Sequence, residues 1–167
     1  MSGKMKVTFV ERDLGGKEIF GKIADAARWS VNTGFFQDSP THPDAKMPLA
    51  ELAAIHHHGH EAGNLPPRPF MKLTTQRELG AIKRASEKYA KFLVSTGSRS
   101  QAKDRMLLLG DTMAALMREQ LMSGDGYPGL AESTIGRKER DGDRYPATPL
   151  VASMFLHDNI KSKVVRN

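Results

Sequence analysis

Three prolines within four positions, Pro66, Pro67 and Pro69, forbid a helix through the stretch Pro66-Pro67-Arg68-Pro69-Phe70. Proline pins φ, lacks an amide donor and pushes the preceding residue out of the helical region. A segment this stiff aims Phe70 into a core or an interface and presents Arg68 beside it. It is closely coupled to the helical block that follows, which favours an architectural role. A proline-rich ligand for an adaptor domain is the competing idea.

Around this fixed point the pattern of apolar residues lays out the rest. Met5 to Val10 alternates like a strand, and Gly15-Gly16 reads as a turn. Lys17 to Arg28 spaces Ile19, Phe20 and Ile23 as a short amphipathic helix, and Trp29 to Phe36 reads as a strand. Gln37 to Pro48, with three prolines, is a loop. Leu49 to His58 is a short helix between Pro48 and Gly59, and His60 to Pro69 is irregular. A long helix is expected from Phe70 or Met71 to about Val94, with Thr74 and Thr75 as candidate caps and Glu78 near its positive end. After a break at Ser95 to Ser100 a second long helix spans Gln101 to Met122. Ala131 to Lys138 suits one or two helical turns, Glu139 to Pro149 a polar loop, Leu150 to Asp158 a short helix and Ile160 to Val165 a last strand.

Strands near both ends of a helical middle imply an α+β fold, a small antiparallel sheet with two long helices on one face and extended loops as arms. The 167 residues fit one domain, read in three parts: 1–48, a helical middle 49–123, and a C-terminal arm and strand 124–167. Met106, Met113, Met117 and Met122 are expected as adaptable core filling.

Several function classes lose support at once. There is no cysteine, hence no disulfide frame, thiolate metal site or cysteine nucleophile. No stretch reaches the roughly 20 apolar residues of a membrane span, and Met1 to Lys6 lacks the apolar run of a signal peptide, so cytoplasmic synthesis is expected. Neither a phosphate-binding G-x-x-x-x-G-K-[ST] loop nor a G-x-S-x-G nucleophile elbow occurs. Gly124-Asp125-Gly126 and Asp141-Gly142-Asp143 lack the ligand order of a calcium loop and read as solvated turns.

The cluster His56, His57, His58 and His60 invites a zinc reading. Neighbours on a helix point about 100° apart, so three consecutive histidines cannot face one ion. His56 and His60 have the i, i+4 spacing of zinc proteases, but His57 stands where their catalytic glutamate would be. No metal site, cofactor or catalytic residue is therefore expected. A metal-dependent hydrolase built on these histidines is the weaker enzymatic alternative.

Charge is more telling. The chain carries +6, and Arg68 to Arg105 alone holds ten Lys or Arg against three acids. On one helix, Arg84, Lys88 and Lys91 fall within about 40° of Arg77, with Leu79, Ile82, Tyr89, Phe92 and Leu93 on the other side. This stripe suits DNA phosphates without base readout, or an acidic neighbouring subunit; an ordinary solvated face is the plainer alternative. No aromatic residue interleaves it, which disfavours base stacking.

Four phrases, in order, carry a resemblance. Leu52-Ala53-Ala54-Ile55-His56-His57-His58-Gly59 is similar to A-x-x-A-x-x-H/N-E-F-G, and Leu65-Pro66-Pro67-Arg68-Pro69-Phe70 to I-P-x-R-P-F. Leu130-Ala131-Glu132-Ser133-Thr134-Ile135-Gly136-Arg137-Lys138 is similar to P-L-x-x-S/T-T-I-x-x-K. Pro149-Leu150-Val151-Ala152-Ser153-Met154-Phe155-Leu156 is similar to P-L-x-x-T-G-x-L. His57 and His58 replace the usual Glu and Phe, and Ser153-Met154 the usual Thr-Gly. Together they resemble the tail-completion and neck proteins of tailed bacteriophages, over about two-thirds of the chain.

That resemblance implies a non-enzymatic virion protein of the neck, made in the host cytoplasm. It implies a ring of identical subunits, a hexamer if it matches the tail, with genomic double-stranded DNA in its lumen. Its partners would be head-connector or stopper proteins above and tail terminator, tube or sheath proteins below. Interface and architecture would fall to Pro66, Pro67, Arg68, Pro69, Phe70, Thr134, Ile135, Lys138, Pro149 and Leu150. Gln37 to Pro48 and Glu139 to Pro149 would be arms onto neighbours. Arg77, Arg84, Lys88 and Lys91 would face DNA or a partner. A sequence-nonspecific DNA-binding module is the alternative of a different class.

Overall fold

Two strands from opposite ends of the chain meet in the computed structural model, which describes residues 16–26, 28–95, 99–151 and 153–166. Strand β1 (Trp29–Gly34) pairs antiparallel with β2 (Lys161–Arg166), Trp29 opposite Arg166 and Gly34 opposite Lys161. Seven helices accompany them among the described residues: α1 (Gly16–Ala26), α2 (Leu49–His58), α3 (Phe70–Arg77), α4 (Leu79–Ser95), α5 (Arg99–Ser123), α6 (Glu132–Arg140) and α7 (Phe155–Asp158). The fold is α+β. The expected strand Met5 to Val10, Gly15, and residues 96–98 of the expected break lie outside the described residues.

A two-stranded ribbon is marginal alone. Here α5 lies along both strands, and α4 packs in turn on α5, α3 and α1. The approach is set by Gly110. A Cβ there would fall inside contact distance of Val31 Cγ2 and lie 2.8 Å from Ser162 Cβ. The Thr33 hydroxyl donates to Gly110 O at 3.3 Å and meets the Ser162 hydroxyl at 3.1 Å. The next positions on this face of α5 are Ala114, Met117 and Leu121, one helical repeat after another, all buried. With Leu49 and Ala53 of α2, Phe70 of α3, Leu156 of α7 and Ile160 they form the core. Met106 is buried too, and Met113 and Met122 are half-buried, in keeping with core filling.

Three expectations need correction. The single helix from Phe70 to Val94 is two helices, bent at Glu78 (φ −100°, ψ 14°). Thr74 and Thr75 are not caps. Their hydroxyls donate to the carbonyls of Phe70 (2.8 Å) and Met71 (2.9 Å), a back-bonding that bends helices. The expected helix Leu150 to Asp158 shrinks to Phe155–Asp158. Leu150 (φ +69°) and Met154 (φ +55°) are left-handed and cannot belong to a right-handed helix.

The loops are less arm-like than expected. His42 N donates to Met47 O and Leu49 N to Pro40 O, so residues 37–48 close on themselves. The Asp38 carboxylate pairs with Lys163 of β2, and the His42 ring packs edge-on against Phe155 at 5.0 Å. Among the described residues no helix is long and apolar enough to cross a membrane.

Gly110→Ala tests this packing. Alanine is the better helix former by about 1 kcal/mol, yet the intruding methyl should win and destabilise by about 1–3 kcal/mol. Urea denaturation decides: a stabilised variant would mean that the ribbon does not rest on α5.

Candidate interaction cleft

The stiff segment is held by the end of α2. Gly59 has φ +81°, and a Cβ there would sit 2.9 Å from both Leu65 O and Pro67 N, so the reversal needs glycine. His60 and Leu65 exchange backbone hydrogen bonds at 2.9 and 3.0 Å around a single 3-10 turn, Glu61–Gly63. The chain then runs back beside α2, where Arg68 N donates to His56 O at 2.8 Å. Phe70 N donates to Arg68 O as α3 begins. The Phe70 ring is fully buried, edge-on to Phe35 at 6.1 Å and to His57 at 5.4 Å.

The other side is built by α6 and the loop after it. Lys138 is 8% exposed. Its ammonium donates to Tyr145 O (2.9 Å) and Thr148 O (2.8 Å) and pairs with the Asp143 carboxylate at 3.1 Å. Two of its protons are thereby engaged, and the carboxylate offsets its charge. Lys138 thus folds residues 139–149 back onto α6, where an outward arm was expected, and sets Pro149 and Leu150 in place.

Between the two sides lies a cleft of about 930 Å³. Of the expected interface residues, Pro66, Pro67, Arg68, Thr134, Lys138, Pro149 and Leu150 line it. Pro69 and Ile135 stand half-buried off its wall, and Phe70 lies behind it in the core. Leu52 and His56 from the first phrase and Leu156 from the fourth complete it, so all four phrases converge here. His42 and Arg137 also line the wall and were not anticipated. Thr134, Arg137 and Lys138 are at i, i+3 and i+4, so helical spacing alone places Arg137 on this face; His42, in an irregular loop, has no such signal.

The His57 and His58 rings meet edge-on at 4.9 Å, but the four histidines do not converge on one point. His56 lines the cleft, His57 rests on Phe70, His58 is exposed, and His60 Nδ1 accepts from Gly63 N at 2.9 Å. No group of three or more His, Cys, Asp or Glu that could hold a metal occurs among the described residues.

The basic stripe is rearranged by the bend at Glu78. Arg77, now on α3, donates to Gln120 Oε1 at 3.1 Å and lies 3.7 Å from the Asp125 carboxylate, so it ties α3 to the end of α5. Arg84, Lys88 and Lys91 remain exposed on α4. Arg84 and Lys88 join Arg105 at the rim of a groove of about 500 Å³ between α4 and α5, floored in part by Tyr89, Phe92 and Leu108. Tyr89 and Phe92 were expected on the opposite side, and Arg105, whose guanidinium lies 5.0 Å from the Phe92 ring, belongs to the basic segment but not to the expected stripe.

No family model, curated protein or solved structure matches the chain.

Burial first, then nearby Arg68 and His42, pull the His56 imidazole from 6.5 down to about 4, so it is uncharged at neutral pH. The unfolded chain takes up this proton first as pH falls. The stability His56 contributes is therefore complete above about pH 6.5 and is lost on acidification to about pH 4, roughly 2 kcal/mol of it between pH 7 and 5. Denaturant midpoints of wild type should fall over that interval, and those of His56→Gln should fall distinctly less; parallel pH profiles would contradict the assignment.

Proposed function

We propose that this chain is a structural virion protein of the phage neck, forming a ring that completes the tail and joins it to the head connector, with DNA passing through the lumen. The observation that carries this reading is the convergence of the four phrases, separated by up to a hundred residues, on one cleft. Motifs that met only by chance in sequence have no reason to share a wall.

A second observation supports it. Met154 adopts the left-handed conformation (φ +55°, ψ 2°) at the position where the resemblance expects glycine. The chain takes this left-handed conformation without glycine, at a cost of about 1–2 kcal/mol. The surface also suits assembly: Phe20 is 73% and Leu108 55% exposed, apolar area left for contact with other subunits.

Sequence-nonspecific DNA binding keeps one observation in its favour, the cationic rim of Arg84, Lys88 and Arg105. In the ring reading these residues face the lumen or an acidic neighbour.

The decisive test separates cleft from groove. Arg137→Glu, on an exposed residue, should leave monomer stability within about 0.5 kcal/mol and yield full heads and finished tails that stay unjoined in electron micrographs. Normal particles would contradict the neck reading. Arg84→Glu, Lys88→Glu and Lys91→Glu together should impair DNA retention, ejection or ring formation, with joined particles still visible where rings form. Tight duplex binding by the wild-type monomer, falling steeply with salt, would instead favour the DNA-binding alternative.

A further inference from the structure

The cleft holds a buried cation with no partner. Arg68 is 5% exposed, and its guanidinium makes no ion pair or side-chain hydrogen bond among the described residues; its Nε is fully shielded and has no acceptor. Burial pulls its pKa below the usual arginine value, as expected for an uncompensated charge. Beside it His56 Nδ1 is likewise shielded and unpartnered. An uncompensated buried charge is costly, and a chain retains one where something outside completes it.

What completes it follows from the walls. The Lys138 charge is already paired with Asp143 and its ammonium is held by two carbonyls, so among the described residues the buried cation left for a ligand is Arg68, a planar fork matched to a carboxylate. Arg137 lies exposed on the wall without an ion pair among the described residues, adding a second, weaker attraction. Glu61, the one acid on the wall among the described residues, makes no ion pair with Arg68. The remaining surface is mostly apolar, Leu52, Leu65, Leu130 and Leu150 among it. A bare inorganic anion would leave those groups uncovered. A peptide that carries a carboxylate between apolar side chains would cover them.

We propose that the cleft docks an acidic segment of a neighbouring polypeptide, one carboxylate of which pairs with the Arg68 guanidinium while its flanking apolar side chains lie on Leu130 and Leu150. That the occupant is a neighbouring polypeptide rests on the assembly reading; the preference for a carboxylate rests on Arg68 alone.

The Arg68 side-chain Nε–Hε resonance of the full chain is the direct readout. A short blocked peptide alternating leucine and glutamate should shift it saturably. The glutamine counterpart should bind at least about tenfold more weakly, a difference of about 1.4 kcal/mol. Arg68→Lys, which keeps the charge and loses the fork, should weaken the glutamate peptide about tenfold, and Arg137→Gln, on an exposed residue, should weaken it by less. Equal response to both peptides, or none, overturns the proposal. So does a response to acetate or inorganic phosphate at the same concentration, which would make this a small-anion site. Failure of the two readings is distinguishable. Unjoined particles with no peptide response overturn the site alone. Peptide binding through Arg68 by a protein whose Arg137→Glu variant still joins heads to tails overturns the neck reading and leaves the site.

Discussion

The hydrogen bond from Arg68 N to His56 O is where this molecule is organised. Prolines on both sides leave Arg68 as the one residue of Pro66–Pro69 with an amide to donate. The bond forms only because Gly59 lets the chain turn back within 2.9 Å of where a Cβ would be. Once the strip is laid along α2, Phe70 has no choice but the core, and α3 starts from it. The same geometry buries the Arg68 side chain, since a strip lying on a helix must turn one side chain inward. Core and cleft are two faces of one segment.

The opposite wall obeys the same logic with different chemistry. Lys138 binds two carbonyls and a carboxylate from its own following loop, and the loop then delivers Pro149 and the left-handed Leu150 to the cleft. The C-terminal strand carries this wall to the sheet, which rests on α5 through Gly110. Arg118, on α5, donates to Ile160 O at 2.5 Å and to His157 O at 3.3 Å, fixing α7 and the start of β2 to the same helix. So α5 supports α3, α7 and β2 together, the elements that follow the two walls in the chain.

Much of this was legible from periodicity. Leu49–His58 begins and ends where its proline and glycine say it should, both described strands lie where β-branched alternation puts them, and the methionines of α5 follow the 3.6-residue repeat into the core. What was not legible depended on partners distant in sequence. Arg77 fits a helical stripe by angle, yet its hydrogen bond is to Gln120, 43 positions away. Lys138 looks like a surface cation in a basic run and is a buried pin. The bend at Glu78 follows two threonine hydroxyls that bond backbone carbonyls, a choice local propensity leaves open. Leu150 and Met154 hide left-handed turns because neither is the glycine that would have announced them. The cleft itself was half legible: its phrases stood out, but their meeting is a property of the fold.

The backbone of the proline strip at Arg68 is held as firmly as the core, although Pro67 itself is exposed. Native-state hydrogen exchange at the Arg68 amide tests it most directly. Exchange is expected only through global unfolding, with the same free energy and denaturant dependence as at the Ala114 and Leu121 amides of α5. Exchange through local fluctuation, fast and insensitive to denaturant, would contradict it.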